Sequence, residues 1–268
     1  MHFNNPLSKI VTKIKPDIVR IVCHNSGTPQ PSAGTGLIIS SNNLILTCLH
    51  VAFGVSQLSQ IENTLRQERI QINKDGYRHY FDSKVRVNVN LFNEIQSFPA
   101  QLIDFLYERD IAIIKIERNN LKSTSLNFDK KFNIGDDIAF CGFPITPLYN
   151  EYNYPLTCNK GIISTFADAM PNGIYRFEHI HVNAVNLGGN SGAPLFLVKN
   201  GQLIGIIDGN MLSTVTLQNI PTYNQERNIL PGNITISLPL TGVGYAIPFH
   251  ETMCRDFIKE VLVKNKGE

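Results

Sequence analysis

Gly188-Gly189-Asn190-Ser191-Gly192-Ala193-Pro194 is the stretch whose reading decides the fold: one hydroxyl enclosed by three glycines and closed by a proline. It lies between the run Val182-Asn183-Ala184-Val185 and the apolar strand Leu195-Phe196-Leu197-Val198. Glycine tolerates positive φ, so a tight turn is available here. Such a turn aims several backbone N–H groups at one point, a concavity that stabilises an oxyanion in acyl transfer. Alone, the segment is ambiguous, because Gly-Asn-Ser-Gly is also ordinary turn chemistry. A serine nucleophile needs a base, and the base needs an orienting group. Those partners must be sought in the rest of the chain.

Composition narrows the search. The chain has 268 residues, 43% of them hydrophobic and 17% charged, below the ~25% charged that is usual in soluble domains. That balance buries a substantial core in one or two domains and excludes wholesale disorder. A net charge of +2 gives no basis for nucleic-acid or membrane binding. The N-terminal run MHFNNPLSKIVTKIKPD has no long apolar stretch and no small-residue cleavage site, so a cytoplasmic location is expected. Cys23, Cys48, Cys141, Cys158 and Cys254 are odd in number, widely spaced and without a CxxC pair. Zinc-site and disulfide-framework readings both fail, and buried free thiols are expected.

Outward from the serine, short apolar runs dominate. Leu7, Ile10, Val11 and Ile14 have helical spacing and end at Pro16. Strands are expected at Ile18–Cys23, Gly36–Ser40, Leu44–Thr47, Val85–Val89, Ala100–Leu106, Asp110–Ile116, Ile138–Pro144, Lys160–Ser164, Leu195–Val198, Leu203–Ile207 and Gly242–Pro248. Residues 55–82 are rich in charge and read as an insertion or long surface loop, with a possible helix near 58–69. Residues 210–241, interrupted by Pro221, Pro231 and Pro239, read as a long loop. Glu251–Lys264 reads as a helix with Met253, Phe257, Ile258, Val261 and Leu262 on one face. Many short strands and one terminal helix give an all-β barrel architecture.

His50 and Asp110 are the candidate partners of Ser191. Each sits where a strand meets a loop, and they precede the serine in the order His, Asp, Ser, separated by 60 and 81 residues. In this order, and in the blocks around it, the chain resembles the chymotrypsin-like serine proteases, most closely the bacterial Deg/HtrA branch. The blocks are Gly34-Thr35-Gly36-Leu37-Ile38-Ile39, Ile45-Leu46-Thr47-Cys48-Leu49-His50-Val51, Asp110-Ile111-Ala112-Ile113-Ile114-Lys115-Ile116, Gly142-Phe143-Pro144, Lys160-Gly161-Ile162-Ile163-Ser164, the nucleophile loop itself, Gly201–Ile206 and Gly242–Pro248.

The resemblance implies two six-stranded antiparallel β-barrels with a C-terminal helix. It divides the chain into an N-terminal extension (1–17), a first barrel (18–125, insertion 55–82), a second barrel (126–250, loop 210–241) and a C-terminal helix and tail (251–268). It implies a serine endopeptidase with His50, Asp110 and Ser191 as catalytic residues and the N–H groups of Gly189 and Ser191 as oxyanion hole. The pocket for the side chain before the scissile bond maps to Val185 and Asn186, to Asp208, Gly209 and Asn210, and to Val243 and Gly244. With Val185 where a trypsin-like enzyme carries its acid, cleavage after small or medium aliphatic residues is expected. No metal or organic cofactor is implied. The partners implied are a protein or peptide substrate, with a regulatory protein as a further option.

Four departures from the family stand out. Asn190 occupies the position where digestive relatives carry an aspartate that pairs with a new N-terminus, as is usual in the Deg/HtrA branch. Asp208 stands where relatives have a small polar residue, and its carboxylate either tunes the site or turns into the pocket. No PDZ domain is expected in the 20 residues after Pro248. The segments 55–82 and 210–241 exceed a minimal core, which leaves a latent or pseudo-protease, acting as a partner-regulated binding module, as the alternative. His179 and His181, at i and i+2, have no third ligand in the sequence and are expected to be structural or surface residues.

Overall fold

The computed structural model describes residues 5–118, 121–126, 128–129, 131–145, 155–169, 177–223 and 229–265, and for 169, 210–223 and 229–243 the backbone alone. Twelve strands form two closed antiparallel barrels of six. β1 (Ile18–Asn25), β2 (Ser32–Ile38), β3 (Leu44–Cys48), β4 (Val85–Asn90), β5 (Ser97–Leu106) and β6 (Ile111–Ile116) close in the order β1-β2-β3-β6-β5-β4. β7 (Asp137–Gly142), β8 (Thr157–Ala169), β9 (Phe177–Asn183), β10 (Pro194–Leu197), β11 (Leu203–Tyr223) and β12 (Ile229–Pro248) close in the order β10-β11-β12-β9-β8-β7. Closure leaves neither barrel with an open sheet edge. The two-barrel architecture expected from the sequence is therefore the one observed.

Helix α1 (Pro6–Ile14) begins where the Asn5 side chain accepts the Leu7 N–H, with proline in the first turn. Helix α5 (Thr252–Lys264) is capped by Glu251, whose carboxylate accepts the Cys254 N–H at 2.9 Å. Both helices fall where the apolar spacing puts them.

Two segments differ from the sequence reading. Residues 55–82 are not a surface loop. After the short helix α2 (Leu49–Phe53), they fold into α3 (Ser59–Gln67) and α4 (Lys74–Lys84). Leu58, Ile61 and Leu65, and Tyr77, Tyr80 and Phe81, are buried at helical spacing. Their rings gather on Phe53, with centroids 6.0 Å away for Tyr77, 6.2 Å for Tyr80 and 5.2 Å for Phe81. Phe105 of β5 joins the same cluster at 6.0 Å. The charged residues lie on the outer faces of these helices, and the apolar stripe beneath them decides the fold. All five residues of β3 are buried, and the Cys48 thiol at its end reaches the Ile207 carbonyl of β11.

The second difference is 210–241. Its backbone pairs as a long hairpin: β11 and β12 stay in register from Gly205↔Pro248 out to Tyr223↔Ile229, with shifts near Ile207, Asn210 and Leu217. Pro221 and Pro231 stand opposite each other in this ladder. Prolines are tolerated in a ribbon whose outer side makes no further ladder, so the breakers did not mark a loop.

Candidate active site

First-barrel strands β3 and β6 present the base and its orienting acid. β3 delivers the chain into α2, so His50 lies one residue into a helix that starts at the strand's end. Asp110 follows a 3-10 turn (Tyr107–Arg109) and has φ +54, a left-handed conformation that Asp tolerates better than most residues. That twist points both carboxylate oxygens back at His50. Oδ2 lies 2.5 Å from His50 Nδ1, and Oδ1 accepts the His50 backbone N–H at 2.8 Å. The Asp110 carbonyl accepts the Leu49 N–H at 2.9 Å. Asp110 is completely buried. The imidazole cannot turn without breaking this set, which leaves Nε2 free of Asp110.

The nucleophile loop joins β9 to β10 and leans on the first barrel. Gly192 has φ +85, and a Cβ there would come within 1.9 Å of the Thr35 carbonyl oxygen, so glycine is required. Gly189 has φ +92 and no room for a Cβ beside the Phe143 carbonyl. Thr35 of β2 ties the loop at two points and the chain after β7 at a third. Its N–H donates to the Ser191 carbonyl at 2.8 Å, its hydroxyl donates to the Gly189 carbonyl at 2.8 Å, and the hydroxyl accepts the Phe143 N–H at 3.1 Å. The Gly188 carbonyl accepts the Ile145 N–H at 2.7 Å, which turns the other side of that peptide, the Gly189 N–H, away from Ile145. Among the described residues neither the Gly189 nor the Ser191 N–H has an acceptor. Two unclaimed donors flanking one hydroxyl are what an oxyanion needs.

The Ser191 hydroxyl donates to the Asp208 main-chain carbonyl at 2.8 Å, and among the described residues no hydrogen bond joins it to His50. Asp208 itself is buried, 3% exposed, and its side chain does not enter the pocket. Oδ1 lies 3.9 Å from His50 Nδ1, and Oδ2 lies 3.3 Å from Nε2 of the fully buried His179. Burial opposes charge on His50, but the Asp110 carboxylate and its hydrogen bond, with the charge of Asp208, push the imidazole up to about 9. Burial raises Asp110, and Asp208 raises it further against the lowering effect of His50. Asp208 is held below the usual carboxylate range: burial opposes this, but His179, His50 and Asp110 outweigh it.

Cys48, His50, Asp110 and Asp208 bring donor atoms within 4.8 Å of one another. The His50–Asp110 hydrogen bond uses the lone pairs that an ion would need, and the Cys48 thiol donates to the Ile207 carbonyl at 3.3 Å. The cluster reads as acid–base machinery.

The substrate-side residues are only partly gathered. The Asn186 amide donates to the Gly209 carbonyl at 3.1 Å, and a Cβ on Gly244 would touch Asn186 at 3.3 Å. Val185, expected as an apolar floor, is 50% exposed. The side chains of Asn210 and Val243 lie outside the described residues. His179 was missed as a site residue: the i, i+2 spacing with His181 showed no ligand partner, because Asp208 is distant in sequence. Asn190 is fully buried, and its amide has no partner among the described residues. Four cysteines are buried as expected, but Cys158 is exposed and stands opposite Cys141 across β7 and β8.

Comparison with known proteins agrees with this geometry. The trypsin-like peptidase domain profile matches residues 34–206. A Pseudomonas putida protein named "Probable periplasmic serine endoprotease DegP-like" is 26% identical over 175 residues, covering 65% of this chain and 28% of the relative. The serine endoprotease DegS of Haemophilus influenzae is 29% identical over 140 residues, covering 50% of this chain and 38% of the relative. The chain thus spans well under half the length of these relatives. In fold, it superposes on the HtrA-type protease AlgW with tripeptide at a TM-score of 0.61, with 20% identity over 95% of this chain and 63% of that one. The cytoplasmic location expected from the N-terminal composition is corrected by these matches, since the Pseudomonas relatives are named as periplasmic.

Proposed function

The chain belongs to the trypsin-like peptidase family, in its Deg/HtrA branch, and we propose that it is a serine endopeptidase working through Ser191, His50 and Asp110. Ser191 Oγ attacks the scissile carbonyl carbon while His50 Nε2 takes the hydroxyl proton. Asp110 keeps the ring in the tautomer that leaves Nε2 free and stabilises the imidazolium that forms. The Gly189 and Ser191 N–H groups receive the oxyanion. His50 then returns the proton to the leaving amine, and water repeats the cycle on the acyl-enzyme. The observation that carries this reading is the 2.5 Å His50–Asp110 contact together with two backbone N–H groups that have no acceptor among the described residues.

For specificity, we propose cleavage after Val, Ala, Ile or Leu. Support comes from the absence of a carboxylate at Val185 and from the Asp208 side chain turning to the two histidines, away from a substrate cation. An uncompensated cation would meet the desolvation penalty of an apolar site. A second reading has its own observation. Because Ser191 is bonded to the Asp208 carbonyl, the enzyme is latent in this conformation, and a regulatory protein or the peptide itself would release the hydroxyl.

The test is fluorophosphonate labelling with peptide-library cleavage, comparing wild type with Ser191→Ala. Labelling at Ser191 and cleavage after aliphatic residues are expected. Undiminished cleavage by Ser191→Ala refutes the mechanism. Cleavage after Arg or Lys that disappears in Asp208→Ala refutes the specificity. Labelling only after peptide is added supports latency.

A further inference from the structure

The second carboxylate is the feature the serine-peptidase mechanism does not require. Asp208 lies on β11, and its carboxylate meets that of Asp110 beside His50. Its oxygen approaches the same ring nitrogen, at 3.9 Å against 2.5 Å for Asp110. A buried carboxylate in this place is costly unless something answers its charge. The answering group is His179 of β9, which is fully buried. The His179 Nδ1 lies 2.8 Å from the Phe177 carbonyl, an oxygen that can only accept, so Nδ1 carries a proton. Nε2 then faces Asp208 Oδ2 at 3.3 Å, and among the described residues these two atoms have no other polar partner.

We propose that Asp208, seated on His179, is a positioning residue of the catalytic triad: a second buried carboxylate that flanks the His50 ring and favours its protonated form. The proposal rests on the serine-peptidase reading for its functional consequence and on geometry for its physical one.

Every charged or titratable group facing the pair is accounted for among the described residues. From β3 comes Cys48, whose thiol is pushed well up by burial and by both aspartates. From the turn before β6 comes Asp110, and from α2 comes His50. From β9 comes His181, lowered by burial and by its neighbour His179. Tyr245 of β12 meets the His179 ring edge-on at 6.1 Å. Phe177 lies tilted against His179 with ring centroids 4.0 Å apart, and the Arg109 guanidinium lies 4.7 Å from the Phe177 ring and pairs with Glu251 at 3.3 Å. The two carboxylates nearest His50 are therefore Asp110 and Asp208.

The position of the serine hydroxyl is compatible with this. A protonated His50 has no lone pair on Nε2 and cannot accept the Ser191 proton. The hydroxyl donates instead to the Asp208 carbonyl. Loss of the His50 proton creates the acceptor, and a rotation about one side-chain bond brings the hydroxyl to it. The enzyme thus gains a stronger base at the expense of the fraction of molecules ready to use it at neutral pH. Activity is displaced to alkaline pH.

The experiment is a titration of the His50 ring by NMR on 15N-histidine-labelled full chain, from about pH 6 to about pH 10, across the ordinary histidine value of ~6.5. Wild type, Asp208→Asn and Asp208→Ser are compared. The rate of fluorophosphonate labelling at Ser191 is followed over the same range. In wild type His50 should titrate well above its ordinary value. Either substitution should bring the midpoint down by about one unit or more. The labelling profile should move with it, so that labelling at neutral pH rises relative to the alkaline plateau. A purely structural role would scale labelling equally at every pH. An unmoved midpoint in both variants overturns the proposal, and so does a wild-type His50 that titrates at its ordinary value, a result that needs no variant to fold. If His50 responds as expected while Ser191 is unlabelled at every pH, the pairing stands and the peptidase reading fails.

Discussion

The two barrels hold their catalytic groups in different ways. The first barrel is self-sufficient: His50 and Asp110 are fixed to each other by side chain and backbone, within a sheet sealed on its outside by α2, α3 and α4. The second barrel is not. Its nucleophile loop is held by Ile145 and Ile207 of its own barrel and also by Thr35, a residue of the other barrel that accounts for the Ser191 carbonyl, the Gly189 carbonyl and the Phe143 N–H. The base comes ready oriented, whereas the nucleophile and its oxyanion donors are oriented across an interface. Damage to the interface should therefore fall on one half of the machinery only.

The largest effect leaves both halves folded and removes the chemistry. Ser191→Ala or His50→Ala should each lower kcat by about a million-fold, and Asp110→Asn by about ten-thousand-fold. The double variant Ser191→Ala/His50→Ala should be no worse than either single, because the residues act as a unit. Steady-state kinetics on a cleaved library peptide measures this, and additive losses would argue against a shared mechanism.

Next comes the seal on the first barrel. Tyr77→Ala removes a fully buried ring from α4 and should cost about 3–5 kcal/mol of stability, as large-to-small aromatic changes do. Denaturant unfolding reads the loss, while kcat per active site, counted by fluorophosphonate titration, should hold. A change near zero would mean that 55–82 is peripheral after all.

Thr35→Val probes the interface with a smaller expected loss. The backbone tie survives, but two polar groups lose their partner, at about 1–3 kcal/mol. That corresponds to roughly 10- to 100-fold in kcat. The low-field proton between His50 and Asp110 should be unchanged in NMR. Were that proton lost as well, the independence of the first barrel would be wrong.

The smallest effect is graded with pH and carries opposite signs for rate and stability. His50 is raised to about 9 in the folded chain. Its contribution to stability is complete below its ordinary value of ~6.5 and fades as pH rises through about 9. The reactive, neutral His50 accumulates over the same interval. Melting temperature should thus decline as the labelling rate climbs. A rate and a melting temperature that rise together would contradict this assignment.

These outcomes bear on residues with unequal visibility in the sequence. Ser191 announced itself through its glycines, and His50 and Asp110 through their strands, because local backbone demands leave local marks. The helix at 59–67 falls where the sequence offered one near 58–69, but that at 74–84 was obscured because charges drew more notice than Tyr77, Tyr80 and Phe81 at helical spacing. The long hairpin was obscured by prolines that a two-stranded ribbon accommodates. Asp208 was legible as an oddity, but its meaning was not. Whether it turned to the pocket or to the triad depended on His179, 29 residues earlier and on another strand. Charge pairs formed only by the closed barrel leave no periodic trace.

The reach of Thr35 also governs when the molecule becomes dangerous. Its hydroxyl bond to Gly189 joins residues 154 positions apart. Contacts so distant in sequence close late, and a growing chain emerges N-terminus first. The ribosome therefore releases a complete acid–base pair long before the hydroxyl it activates, and the oxyanion donors take shape only when β2 meets a loop made some hundred and fifty residues later. A nascent or truncated copy has nothing with which to digest its neighbours. On the proposed mechanism, a contact spanning 154 positions keeps an unfinished chain harmless.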